Sequence, residues 1–234
     1  MMTDIKTNIS IASLIKEATN RESKPLERFV LPFEKAQLEN LIGTYYKAEV
    51  LSRIPKDRYV QMDKNMRDNL SDIVDWLTDP EKRVGLLLFG NVGTGKTTLL
   101  KATCKAINRL CAKSRDADTG VVETTFRNVV ITIVKAKEIT ESYAQNKGDY
   151  DLMVKTDLLA IDEFGVEALD VKLYGNLNEP LIDLLCDRYD NQRCTIISSN
   201  LDEAAILQRY GERLYDRFNE MFTMIPFTGK SYRQ

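Results

Sequence analysis

The sequence predicts an α/β fold: a parallel sheet covered by helices on both faces, preceded by a helical N-terminal extension. Three observations predict it. Up to about residue 80 the apolar residues recur at helical spacing. From Gly85 the pattern changes to short apolar runs that alternate with amphipathic stretches. Those runs are short and mostly apolar, as strands buried on both faces of a parallel sheet are.

Taken in order, the first helix is marked by Ile11, Leu14, Ile15 and Ala18, and the second by Leu38, Leu41, Ile42 and Tyr45. The third carries Met66, Leu70, Ile73, Val74 and Leu77 and stops at Asp79–Pro80. Polar stretches at Arg21–Pro25 and Pro55–Tyr59 separate them. The predicted strands are Gly85–Phe89, Val129–Val134, Leu158–Ile161, Thr195–Ser198 and Phe222–Phe227. Leu100, Cys104, Ile107 and Cys111 define the helix after the first strand. Leu181, Ile182, Leu184 and Leu185 define a later one, with Pro180 suited to its first turn. Arg115–Gly120 reads as a surface loop. The expected division is 1–80 for the helical extension and 81–234 for the α/β domain.

Composition narrows the function. With 234 residues, 43% hydrophobic and 29% charged, the chain suits one sizeable core with an appendage. Its longest strongly apolar run, Leu86–Phe89, falls far short of the ~20 residues that cross a bilayer. No basic segment followed by an apolar stretch opens the chain, so no membrane association and a cytoplasmic location are expected. The four cysteines include no CxxC pair and there is no histidine. Ribbon-type zinc sites and Ser–His or Cys–His catalysis are thereby excluded, and the cysteines read as small buried hydrophobes. Net charge is −2, with acid and base balanced over Met1–Val84. A protein that grips duplex DNA by charge alone has a basic surplus that this one lacks.

Gly90–Thr97, GNVGTGKT, matches G-x-x-x-x-G-K-[ST] between a strand and a helix. Such a loop turns its N–H groups of Asn91, Val92, Gly93, Thr94, Gly95, Lys96, Thr97 and Thr98 toward phosphate oxygens, with the helix N-terminus adding positive potential. Lys96, read as a solvent-facing ligand, supplies charge to the outer phosphates of ATP, and the Thr97 hydroxyl ligates Mg²⁺. Leu158–Glu163 is an apolar strand that ends in two carboxylates: Asp162 for the Mg²⁺ shell, and Glu163, one residue past the strand, to polarise water. Asp162–Gly165 also fits DxxG and Asn146–Asp149 fits NKxD, the two marks of a GTPase. The order is wrong for one, since NKxD precedes DxxG and follows the polar helix Lys135–Gln145. Asn146–Asp149 reads instead as a helix C-cap in which Gly148 makes the left-handed turn.

Two weaker motifs follow. Asn200 ends the run TIISSN and could reach the γ-phosphate or the lytic water. Arg213 and Arg217 lie four apart in GERLYDRF, by default in surface ion pairs with Glu212 or Asp216. Lys101, Lys105, Arg109 and Lys113 form a basic stripe on the helix after the phosphate loop, read as a solvated face rather than a DNA contact.

In this order the motifs resemble those of AAA+ ATPases: Walker A at Gly90–Thr97, Walker B at Leu158–Glu163, sensor I at Asn200 and box VII at Arg213–Arg217. LLAIDEFGVE, SSNL, YGERLYDRF and the ending TGKSYR are most similar to the DnaC/IstB group of replicative-helicase loaders and transposition helpers, over roughly Val84 to Arg233. The resemblance implies a five-stranded P-loop NTPase sheet of order 5-1-4-3-2. It implies Arg217 as an arginine finger acting on a neighbouring subunit's ATP, with Arg213 beside it. Only seven residues follow Phe227, so no C-terminal helical lid is expected, and Lys230 or Arg233 is left to replace the lid arginine. The implied role is a nucleotide-dependent homo-oligomer that loads a replicative helicase onto single-stranded DNA, each DNA contact being weak and strengthened by assembly. A transposition helper working with a transposase, and a nucleotide-sensing adaptor with little turnover, are the alternatives.

Overall fold

The structure, a computed structural model, describes residues 28–53, 62–111, 114–115, 122–123, 129–173 and 175–232. The helix expected at Ile11–Ala18, the stretches Arg21–Pro25 and Pro55–Tyr59, the loop beyond Arg115, and Lys113 and Arg233 lie outside these residues.

Five strands form one parallel sheet: β1 (Gly85–Gly90), β2 (Thr132–Lys135), β3 (Leu158–Phe164), β4 (Cys194–Ser199) and β5 (Phe222–Phe227). Their order is β2-β3-β4-β1-β5 with every pair parallel. Read from the other edge, this is the expected 5-1-4-3-2. The continuous apolar strands are explained by burial on both sides. Leu86, Leu88, Leu158, Ala160 and Ile196 face one cluster, whereas Leu87, Leu159, Ile161 and Ile197 face the other.

The first face is covered by α1 (Lys35–Leu51), α2 (Lys64–Thr78) and α3 (Lys96–Cys111). Asp63 caps α2 by accepting from the Met66 N–H at 2.8 Å, and the helix stops at Asp79 before Pro80. Leu38, Ile42, Met66, Ile73, Trp76 and Leu77 join the same core as β1 and α3, so the N-terminal helices pack directly on the sheet. The second face carries α4 (Ala136–Gln145), α5 (Lys147–Lys155), α6 (Pro180–Asp190), α7 (Glu203–Tyr210) and α8 (Glu212–Met221). Two antiparallel ribbons, Ser114–Arg115 with Val122–Glu123 and Val171–Leu173 with Asn176–Asn178, were not anticipated. Among the described residues no helix is long and apolar enough to cross a membrane.

Several expectations are corrected. The second strand begins at Thr132, not Val129, because the Asn108 side chain takes both backbone groups of Ile131, at 2.8 and 3.0 Å, before the ladder starts. The third runs on through Glu163 to Phe164, with a register shift between Ile161 and Phe164. Gly148 makes no left-handed turn: it lies inside α5, and Asn146 instead closes α4 and caps α5. The basic stripe is not simply solvated. Lys105 pairs with Glu49 of α1, which Arg53 also holds at 3.1 Å, so this face ties α1 to α3.

Candidate functional site

The loop between β1 and α3 is shaped by its glycines. Gly90 has φ 125°, and a Cβ there would stand 2.5 Å from the Phe227 carbonyl oxygen of β5. Gly93 and Gly95 are also left-handed, at 81° and 89°. Thr94 braces the loop by donating its hydroxyl to the Asn91 carbonyl at 2.8 Å. Lys96 does not face solvent as expected. It is 5% exposed, and its ammonium is drawn inward, donating to the carbonyls of Gly90 and Asn91 at 2.8 and 2.6 Å. Asn91 and Val92 are exposed. Thr98 accepts from Arg53 at 3.5 Å.

The sheet brings the two strongest motifs into contact. Thr97 donates its hydroxyl to Asp162 Oδ1 at 2.8 Å, across 65 positions of sequence. Asp162, 2% exposed, accepts at the same oxygen from the Ser198 hydroxyl and from the Glu163 N–H at 3.1 Å. Glu163 has φ 59°, the left-handed region that a side chain bearing a Cβ occupies only when its surroundings impose it. Its carboxylate is half-exposed and pairs with Lys135 Nζ at 3.2 Å. That carboxylate pushes the Lys135 ammonium above the usual lysine range, first by hydrogen bonding and then by charge.

The weaker motifs lie just past β4 and on α8. Asn200 is exposed just beyond β4; the strand-end residues that touch the acidic motif are Ser198 and Ser199, the latter donating to the Phe164 carbonyl at 2.8 Å. Arg213 is exposed on α8. Arg217 pairs with neither Glu212 nor Asp216. Its guanidinium lies 3.8 Å from Asp190 and 5.3 Å over the Tyr189 ring, both on α6. Lys230 is exposed.

Sequence reasoning missed three groups. Lys135 follows an apolar run, but only the β2–β3 register, Lys135 opposite Asp162, sets it beside Glu163. Ser198 lay inside a motif read for its asparagine. The third is the tail: the Tyr232 N–H donates to the Gly93 carbonyl at 2.9 Å, and the Tyr232 hydroxyl donates to Asp63 at 2.7 Å. The C-terminal segment thus lies against the phosphate loop and the cap of α2. Chemically, the site offers a glycine-shaped turn, a buried ammonium, and a hydroxyl–carboxylate pair of the kind that holds a hard cation.

The fold and motifs agree with what comparison shows. The bacterial DnaA ATPase domain matches residues 77–224. No curated protein matches the sequence. Among solved structures, the DnaC helicase loader aligns with a TM-score of 0.50 at 19% identity, over 74% of this chain and 95% of that one. DnaI aligns at 0.51 and 19%, over 77% and 88%. AMPPCP-bound DnaA from Aquifex aeolicus aligns at 0.52 and 16%, over 74% and 50%. At these identities the structural likeness speaks for the fold. With most of its length on that domain, the chain belongs to the bacterial DnaA ATPase-domain family.

Proposed function

We propose that the protein is a Mg²⁺-dependent ATPase of helicase-loader type, using its nucleotide cycle to control its grip on single-stranded DNA and on a replicative helicase. The observation that carries the ATPase reading is the Thr97–Asp162 contact at 2.8 Å, which joins the phosphate loop to the acidic strand end. Backbone amides from Asn91 to Thr98 and the Lys96 ammonium would hold the phosphate chain, and Thr97 and Asp162 would hold the metal. When bound, Mg²⁺ neutralises charge on the outer phosphates. Glu163, whose carboxylate is half-exposed, would orient the water and accept its proton. Asn200 and Arg213 are assigned supporting roles, and Arg217 that of a finger supplied to a neighbouring copy.

The loader role rests on the likeness to DnaC and DnaI together with the charge balance. A chain of net charge −2 lacks the overall basic surplus that grips duplex DNA by charge, so its DNA contacts would be local, or weak and repeated in an oligomer. An adaptor with little turnover has one observation in its favour, the Lys135–Glu163 pair, which engages the carboxylate needed for hydrolysis. Two variants test the site. Lys96→Ala should lose ATP binding in calorimetry, with circular dichroism checking its fold because Lys96 also holds the Gly90 and Asn91 carbonyls. Glu163→Gln should bind ATP yet hydrolyse it slower by about 10²–10⁴. Unchanged ATP affinity in folded Lys96→Ala would remove the site, and wild-type turnover in Glu163→Gln would remove the base.

A further inference from the structure

The backbone strain at Glu163 is met from both sides. Upstream, its N–H is held by Asp162 Oδ1 at 3.1 Å and by Ser198 Oγ at 3.3 Å. Downstream the chain folds back: the Val166 N–H reaches the Glu163 carbonyl at 3.4 Å, and the Gly165 N–H donates to Glu167 Oε2 at 2.8 Å. The Glu167 side chain is wholly buried, at 0% exposure, where a carboxylate persists only if it is paired. Its partners come from the end of α7. The Tyr210 hydroxyl donates to Oε1, and Arg209 stands 3.8 Å from the same oxygen while donating to the Glu167 backbone carbonyl. The Tyr210 ring also stacks on Phe164, with centroids 4.6 Å apart and planes at 22°. One tyrosine therefore grips the residue after Glu163 and the carboxylate that anchors its loop. Burial, together with the bond to Glu167, pushes the Tyr210 hydroxyl up, which keeps it a donor.

We propose that Glu167 is a positioning residue for hydrolysis: clamped by Tyr210 and Arg209, it fixes the Gly165 turn and so the direction in which Glu163 presents its carboxylate. This rests on the reading of Glu163 as the residue that orients water. A purely structural carboxylate would serve only to satisfy α7. The Gly165 bond instead ties it two residues past Glu163, the β3 residue held at positive φ. The clamp also leads, through Gly211, directly into α8 with Arg213 and Arg217.

The test is a double-mutant cycle, because a residue that acts through Glu163 loses its effect once Glu163 is gone. Glu167→Gln removes the charge. Tyr210→Phe removes only the hydroxyl and keeps the stacked ring, which covers the case in which Glu167→Gln fails to fold. ATP affinity is measured by calorimetry, thermal melting by circular dichroism, and single-turnover hydrolysis over hours. Both variants should bind ATP within about threefold of wild type and hydrolyse it about 10–100-fold slower, the loss expected when a reacting group is misplaced by a fraction of an ångström. In a Glu163→Gln background neither should slow hydrolysis further. Wild-type rates in both single variants, or the same fold-loss in both backgrounds, overturn the proposal. Should Glu163→Gln itself hydrolyse at the wild-type rate, the reading of Glu163 falls first, and that result is separate from an additive loss at Glu167.

Discussion

Replacing Lys135 with methionine removes the ammonium that faces Glu163 while keeping the length of the side chain. The pair spans 3.2 Å, but its members are 55% and 44% exposed. Water and salt therefore screen it, and exposed pairs of this kind bias an equilibrium by no more than about fivefold. If the pair holds Glu163 back from water, Lys135→Met should raise basal ATP hydrolysis by about two- to fivefold and leave ATP affinity unchanged. The wild-type rate should also climb toward that of the variant as salt is raised, since the screening length shrinks to about 3 Å at 1 M. The variant should show no such rise. Steady-state phosphate release at several salt concentrations, with calorimetric ATP binding alongside, reads both effects. A fall in hydrolysis, or a change beyond about tenfold in either direction, would refute the reasoning, because Lys135 would then act on the reaction directly rather than by restraining Glu163.

Arg217→Ala should bind ATP normally and hydrolyse it more slowly by about 10³ or more where the protein assembles; mixing it with Lys96→Ala should restore part of the activity, and normal hydrolysis by Arg217→Ala alone would remove the finger. Arg188 is wholly buried and donates to the carbonyls of Met153, Thr156 and Cys194 and to the Thr195 hydroxyl. Arg188→Met strands several of these acceptors and should cost about 3–5 kcal/mol, lowering Tm by about 6–20 °C; a loss below about 1 kcal/mol in urea titration would contradict that. Burial pushes the Cys194 thiol up to about 12 and raises Cys104 as well. Both therefore stay protonated at pH 8, and only the half-buried Cys186 should react quickly with a thiol reagent until the protein is unfolded.

Much of this protein was legible along the chain because its signals are contiguous. A phosphate loop needs glycines and a lysine at fixed short spacing. A doubly covered strand needs an unbroken apolar run, and a helix needs its 3.6-residue period. Each can be read without knowing what lies opposite. Hence Gly90–Thr97, Asp162, the five strands, and the packing faces of Leu38, Met66, Leu100 and Leu181 were recognisable in advance. What the sequence left open depends on partners far apart in number. Lys135 meets Glu163, Ser198 meets Asp162, and Glu49 meets Lys105 through strand register and helix packing. Gly148 went into a helix because Asn146 could cap one. The tertiary structure alone decided how Glu163 is held. Its N–H meets Ser198 on one strand, and the turn that follows it meets Glu167, which Tyr210 of α7 pairs in the folded interior. No local pattern carries that information, because the energy that stabilises such a backbone comes from groups that folding alone brings within reach.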